Sequence, residues 1–227
     1  MKYDGKIIAI VDETPRVKTI RVSWQGIDQF TFLPGQFMMV SVPGFLNKGG
    51  FPLKRAYSIA SAPSDKGFIE FTVTRKTPEG LSYRLHQCKV GDPIVCDGPA
   101  GHFKLIEPMQ KVTFIAAGSG ISSMRSMYRH MLHIGRHDFT ILFGFHAPED
   151  FIFKHELEHL NVIPAITVED ASWKGKKGRV TELIPFVFPD APSRQFYLCG
   201  SLMMVEDTIK VLTGLGVERK NIFREVW

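Results

Sequence analysis

Apolar and polar positions alternate in short bursts over the first hundred residues of this 227-residue chain. Residues 6–11, 17–23, 36–42, 57–60, 68–74 and 93–97 are each rich in β-branched or aromatic side chains. Turn signals separate them, among them Leu33-Pro34-Gly35, Val42-Pro43-Gly44 and Asp65-Lys66-Gly67. Alternation bounded by Pro and Gly predicts strands, and six short ones punctuated in this way predict a small antiparallel barrel. Residues 81–87 are the one stretch of this half that reads as a helix.

After residue 104 the rhythm changes. Residues 112–117 form an apolar run of the buried-strand type, and 122–134 carry a helical pattern. Residues 139–145 read as a strand, 153–160 as a helix and 162–168 as a strand; 181–187, 195–199 and 203–212 continue the alternation. Strands that alternate with helices predict a parallel, doubly wound sheet of the Rossmann-like kind. Glu107-Pro108 interrupts both patterns, so the reading is two domains, 1–104 and 105–227.

Composition narrows the class. Hydrophobic content of 44% and charged content of 22% are values of a globular protein. No apolar run approaches the roughly 20 residues of a membrane span, and Met1-Lys2-Tyr3-Asp4 begins no signal peptide. The expectation is a soluble, cytoplasmic protein with no membrane partner. The net charge of +5 is spread along the chain without a basic amphipathic helix, which argues against nucleic acid. An anionic cofactor or an acidic protein partner accounts for the surplus equally well. Three widely spaced cysteines, Cys88, Cys96 and Cys199, make neither a disulfide framework nor a zinc or iron–sulfur ligand set.

Candidate chemistry begins at Arg55-Ala56-Tyr57-Ser58. On a strand, alternation sends Arg55 and Tyr57 to one face and Ser58 to the other. An arginine fork clamps phosphate, a tyrosine ring lies flat on a fused ring system, and a serine bonds to a ring edge. An ordinary strand with a surface arginine and a core tyrosine explains the tetrapeptide as well. Gly118-Ser119-Gly120-Ile121 lies between a strand and a helix, where free N–H groups and the helix dipole attract phosphate. The full G-x-G-x-x-G fingerprint is absent because residue 123 is serine, and a tight strand–helix turn is the plainer alternative. Gly80-Leu81-Ser82 opens the helix of the first half, where Ser82 is either a cap or part of a pyrophosphate site. Cys199-Gly200 ends a strand of the parallel sheet, where ligands gather, although a buried inert thiol fits too. His155-Glu156-Leu157-Glu158-His159 matches the H-E-x-x-H pattern of zinc peptidases, against the ordinary reading of a charged outer helix with no third ligand in view.

In chain order these pieces resemble the ferredoxin–NADP reductase superfamily. Leu33-Pro34-Gly35-Gln36-Phe37, Arg55-Ala56-Tyr57-Ser58, Gly80-Leu81-Ser82, Gly91-Asp92-Pro93 and Gly98-Pro99-Ala100-Gly101-His102-Phe103 are similar to its flavin domain. Ala117 to Ile121, Leu142-Phe143-Gly144, Trp173-Lys174-Gly175, Gly178-Arg179-Val180 and Cys199-Gly200 with Met204 are similar to its nicotinamide-nucleotide domain. The resemblance covers nearly the whole chain.

It implies an enzyme that binds FAD in the barrel and NAD(P)H in the Rossmann-like domain, passing hydride between them and electrons to or from a ferredoxin or flavodoxin. Arg55, with Ala56 beside it, would hold the flavin phosphates, Tyr57 would pack on one ring face, and Ser58 would bond near N5. Thr72, Val73 and Thr74 would touch the cofactor, with Gly80, Leu81 and Ser82 at the pyrophosphate. Gly118, Ser119, Gly120 and Ile121 would hold the nucleotide together with Arg179, Cys199 and Gly200. Ser58, Cys199 and Glu225 would form the polar, catalytic set around the hydride path, and terminal Trp227 would cover the other flavin face. Glu169 and Asp170 stand where NADPH enzymes of the family often carry Ser-Arg, while Lys174, Lys176, Lys177 and Arg179 pull the other way, so the balance leans to NADH. Four rivals remain: a flavin reductase, the reductase component of an oxygenase, and, from other classes, a zinc metallopeptidase built on His155, Glu156 and His159 or a non-catalytic nucleic-acid-binding barrel.

Overall fold

The computed structural model describes residues 1–226, and the terminal Trp227 lies outside the described residues. Backbone proximity groups Met1–Lys104 with Arg125–His133 as one unit and Leu105–Met124 with Ile134–Trp227 as the other.

The first unit is a six-stranded antiparallel sheet of β1 (Lys2–Thr14), β2 (Val17–Ser23), β3 (Phe37–Ser41), β4 (Arg55–Ser58), β5 (Ile69–Thr74) and β6 (Pro93–Ala100). The strand order is β4-β3-β6-β1-β2-β5. Its two edges meet: Ile59 bridges Phe71, and the Ala60 amide donates to the Glu70 carbonyl at 2.8 Å. The sheet thereby closes just beyond Ser58, and the alternation dictates what fills it. Ile7, Ile20, Val22, Met38, Val40, Ile59, Ile69, Phe71 and Val73 turn inward as a buried core. Helix α1 (Leu81–Gln87) plugs that core with Leu81 and Leu85. His86 Nε2 donates to the Val73 carbonyl at 2.8 Å and fastens α1 to β5.

The second unit is a parallel sheet of β7 (Lys111–Ala117), β8 (Phe139–Phe145), β9 (Val162–Ile166), β10 (Lys176–Lys177), β11 (Arg194–Gly200) and β12 (Ile222–Val226). Its order is β10-β9-β8-β7-β11-β12. The helices are α2 (Ile121–His133), α3 (Lys154–Leu157), α4 (Val180–Val187) and α5 (Leu202–Gly214). The chain winds outward from β7 through β8 and β9 to β10, then returns to lay β11 on the other side of β7. The order therefore reverses between β7 and β11, and the carboxyl ends of those strands flank the crevice where doubly wound sheets bind ligands. Among the described residues no helix is long and apolar enough to cross a membrane.

The helix expected over 153–160 is shorter than its pattern. Phe153 takes a left-handed φ of 56°, with its side chain buried beside Ile152, and regular α-structure runs only from Lys154 to Leu157. His155 and His159 point to solvent, and no three metal-ligating side chains converge among the described residues.

Candidate cofactor sites

The barrel-side candidates cluster around the seam where β4 meets β5. Arg55 is exposed on β4, and among the described residues its guanidinium bonds through Nη1 to the neighbouring Lys54 carbonyl at 2.8 Å, so most of the fork is open to a ligand. Ala56 is exposed as well, while Ser58, 3% exposed, turns to the opposite face. Tyr57 is half-buried, its ring centroid 6.3 Å from that of Phe71. Burial pushes its phenol up to about 12, against the opposing pull of Arg55, so Tyr57 is a neutral, flat surface at any working pH.

On β5 the side chains divide. Val73 points into the core, as does Leu81 on α1, and either would meet a ligand only through its backbone. Thr72 and Thr74 lie on the other face. The Thr72 hydroxyl is buried with no hydrogen-bond partner among the described residues. Gly80 is the N-cap of α1, and its extended backbone leaves the first-turn amides without a side-chain cap. Ser82 does not cap the helix; its hydroxyl accepts from the Lys76 amide at 3.2 Å. An open arginine fork, a neutral ring face and an orphaned hydroxyl on one seam fit a phosphorylated, fused-ring cofactor.

A further constellation on this unit has no counterpart in the sequence motifs. Glu70 follows the alternation outward on β5, yet is only 3% exposed. Its Oε1 accepts from Arg21 Nε at 3.1 Å and Nη2 at 2.8 Å, and its Oε2 accepts from Arg125 Nη1 at 2.6 Å. A lone glutamate in a strand reads as surface, and its arginine partners stand 49 and 55 residues away, so no local pattern announces the cluster. Burial raises the Glu70 pKa, but the Arg125 charge and the Arg21 and Arg125 hydrogen bonds outweigh it, leaving the carboxyl below its ordinary range. A depressed carboxylate stabilises the fold above the unfolded value of about 4.3, and that stability is lost as pH falls through the folded value. Glu70→Gln is therefore expected to lower stability at pH 7 by about 3 kcal/mol, the lower end of the range for broken buried pairs. In urea titrations the difference from wild type should shrink below about pH 4.

The second group surrounds the switch point. After β7 the chain makes a one-turn 3-10 segment, Gly118–Gly120, and runs straight into the thirteen-residue α2. Gly118 sits at φ 54° with open space beyond its α-carbon. At Gly120 a β-carbon would lie 2.3 Å from the Cys199 carbonyl oxygen. At Gly200 one would come within 3.0 Å of Met204 Sδ. The two glycine turns are thus packed against each other, and the start of α2 presents backbone donors to an anion. Ser119 is partly exposed on this turn and Ile121 is buried beneath it. Cys199 is fully buried and is the register partner of Glu225 on β12 and of Ala116 on β7. The structure thus brings Cys199 and Glu225 side by side from positions 26 apart in sequence.

Beyond β9 the charges sort themselves. Asp170 accepts from the Ser172 amide at 2.7 Å and hydroxyl at 2.6 Å, which hold its pKa below the usual range. Glu169 reaches Lys177 Nζ at 3.3 Å. Arg179 is exposed at the N-cap of α4, where its amide donates to Glu182 Oε2 at 3.0 Å. Trp173 lies over Gly175 and meets Phe145 edge-on at 5.5 Å.

Comparison with known proteins gives a consistent picture. An oxidoreductase FAD-binding domain model matches residues 5–105, and an oxidoreductase NAD-binding domain model matches residues 114–210. The ferredoxin–NADP reductase B of Sorangium cellulosum (strain So ce56) is 30% identical over 98% of this chain and 96% of its own length. The glycine betaine monooxygenase reductase subunit of Chromohalobacter salexigens is 27% identical over 99% of this chain, which spans 64% of that relative's length. Among solved structures, a ferredoxin NADP+ reductase from Neisseria gonorrhoeae with bound FAD and NADP is 25% identical at a TM-score of 0.83, covering 99% of this chain and 98% of that one.

Proposed function

The chain belongs to the ferredoxin–NADP reductase family, as a flavoenzyme using FAD and NAD(P)H, and from that premise we propose that it exchanges electrons with a ferredoxin or flavodoxin. The observation that carries this reading is the match along 96% of the length of a ferredoxin–NADP reductase. The net charge of +5 and pI of about 9.1 suit an acidic carrier, whose approach they would steer. A second reading, the reductase component of an oxygenase, is favoured by the likeness to the glycine betaine monooxygenase reductase subunit.

When bound, FAD supplies the conversion between a two-electron hydride carrier and one-electron carriers. In this proposal residues 1–104 form the FAD-binding domain and residues 105–227 the NAD(P)H-binding domain. Arg55 neutralises the cofactor phosphates, the amides at the start of α1 add donors, and Tyr57 offers a ring that stays uncharged. Ser58, Thr72 and Thr74 provide hydroxyls along the seam. The Gly118–Gly120 turn and the start of α2 hold the nucleotide pyrophosphate. Cys199 and Glu225, paired across β11 and β12, line the path of the nicotinamide.

Anaerobic absorbance spectroscopy tests the reading. Flavin bands of the purified protein should bleach on addition of NADH or NADPH and return when oxidised ferredoxin or flavodoxin is supplied. Reoxidation by an oxygenase component but by neither carrier would replace the first reading with the second. Loss of flavin on gel filtration, with NAD(P)H oxidised only when free flavin is added, would instead make the protein a flavin reductase.

Nucleotide choice is set beyond β9. Asp170 and Glu169 are both carboxylates that would repel a 2′-phosphate, and Glu169 also occupies Lys177. Glu169→Gln removes one of these charges and releases the ammonium. A like-charge contact of this kind is worth about 1 kcal/mol in water. The kcat/KM ratio for NADPH over NADH is therefore expected to rise roughly fivefold, measured by steady-state kinetics with each nucleotide.

A further inference from the structure

Strand β10 has little of its own to hold it. Lys176 and Lys177 are both exposed, bring no apolar side chain, and pair only with Ala165 and Ile166 at the edge of the parallel sheet. The loop 167–175 that leads into it carries one aromatic side chain, Trp173. Three contacts seat its indole. Gly175 lies against the ring, so close that a β-carbon there would come 2.6 Å from Cζ2. Nε1 donates to the Lys176 carbonyl at 2.9 Å. The ring meets Phe145 of β8 edge-on at 5.5 Å, and Phe145 stacks on Phe151 at 4.8 Å. Such ring pairs stabilise beyond the area they bury. One indole therefore ties the core of the sheet to the backbone of β10, and all of these residues belong to the parallel-sheet unit.

What β10 carries is charge. Lys177 ends the strand, Gly178 follows at φ 111° with its amide on the Ile166 carbonyl at 2.9 Å, and exposed Arg179 is the N-cap of α4. These residues stand at the carboxyl edge of the sheet, the side on which ligands bind. Lys177 Nζ meets Glu169 at 3.3 Å, an exposed pair of the kind that contributes little to stability, so a phosphate can take the place of the carboxylate.

We propose that Trp173 is a positioning residue for nucleotide choice: seated on Gly175 and holding the Lys176 carbonyl, it fixes β10 and so sets Lys177 and Arg179 where a 2′-phosphate would lie. The proposal rests on nucleotide binding by this unit and is independent of the electron carrier.

The test uses Trp173→Ala, Trp173→Phe, Gly175→Ala, and Trp173→Ala combined with Lys177→Gln and Arg179→Gln. Adenosine 5′-monophosphate and adenosine 2′,5′-bisphosphate differ by the 2′-phosphate alone, and each is titrated calorimetrically into the FAD-loaded protein. In Trp173→Ala the bisphosphate Kd should rise roughly fivefold, the effect of displacing one unit charge in water. The monophosphate Kd should stay within twofold. The kcat/KM ratio for NADPH over NADH should fall by the same factor, through KM. Gly175→Ala, which drives the indole from its seat, should reproduce these effects. Trp173→Phe keeps a ring but loses the donor and should fall between. Once Lys177 and Arg179 are replaced, Trp173→Ala should change the bisphosphate Kd by less than twofold. Hydrogen exchange of the Gly178 amide should be at least tenfold faster in Trp173→Ala, with the amides of β7 unchanged. Should Trp173→Ala fail to fold, Gly175→Ala and Trp173→Phe carry the comparison. Equal weakening of both fragments would overturn the proposal and make the indole a platform for adenine. An unchanged bisphosphate Kd would also overturn it, as would an effect that persists without the two cations or a wild-type protein that binds neither fragment. If neither nucleotide bleaches the flavin, the hydride reading fails, and the fragment titrations still decide the role of Trp173.

Discussion

Gly120→Ala is expected to abolish nucleotide-dependent reduction of the flavin while leaving FAD bound. The added methyl would sit 2.3 Å from the Cys199 carbonyl oxygen and 2.7 Å from its carbon. Both are backbone atoms at the end of β11, in a strand hydrogen-bonded on both sides. No rotamer change relieves such a contact. Either the turn or the strand end must move, and overpacking of this kind costs about 3 kcal/mol. For a domain of this size that corresponds to a fall in Tm of about 6–12 °C. The functional loss should be larger than the stability loss, because the displaced atoms are the start of α2 and the Cys199–Gly200 corner. Gly118→Ala is the control. Its residue has φ 54° but nothing within 4 Å of a β-carbon, so it should cost only about 1–2 kcal/mol of left-handed strain. Calorimetry together with isothermal titration of NADH and NADPH separates the two glycines. Equal, mild effects at both positions would refute the steric account.

That contrast marks how far the chain could be read without coordinates. Gly118 and Gly120 both stand out as a strand–helix turn, yet the reason Gly120 must be glycine is a strand 79 residues downstream. Elements whose stability comes from local alternation were legible almost to the residue: β2 (Val17–Ser23), β8 (Phe139–Phe145) and α1 (Leu81–Gln87) fall where the pattern puts them. Elements created by a partner were not. Lys176–Lys177 has no apolar signal and becomes a strand because Ala165 and Ile166 offer it a ladder. Lys2, Tyr3 and Asp4 extend β1 beyond the expected residues 6–11 because Asp97, Cys96 and Val95 pair with them. The same division holds for the candidate sites. Single-strand constellations such as Arg55 to Ser58 were visible as motifs. The Glu70 cluster and the orphaned Thr72 hydroxyl are products of barrel closure, and a strand read alone shows neither.

Closure also decides what Arg55 is worth. On an isolated hairpin the guanidinium of Arg55→Ala would be a surface loss of a few tenths of a kcal/mol. On this strand it is a largely open fork near a neutral phenol, and the carboxylate of Asp97 is already engaged by Lys54 at 3.6 Å. Charge-assisted hydrogen bonds to phosphate contribute about 1.5–3 kcal/mol each, and the fork can make two. Removing it is expected to weaken FAD binding by roughly 100-fold or more, so that Arg55→Ala purifies largely without flavin. Arg55→Lys should fall between, since an ammonium keeps the charge and loses the bidentate geometry. The substitution touches no core side chain, so the barrel itself should keep its stability. Fluorescence quenching of FAD titrated into the protein reads the affinity, and urea unfolding without FAD reads the fold. Undiminished affinity in Arg55→Ala would remove this residue from the cofactor site and shift the phosphate anchor to the amides of Gly80, Leu81 and Ser82.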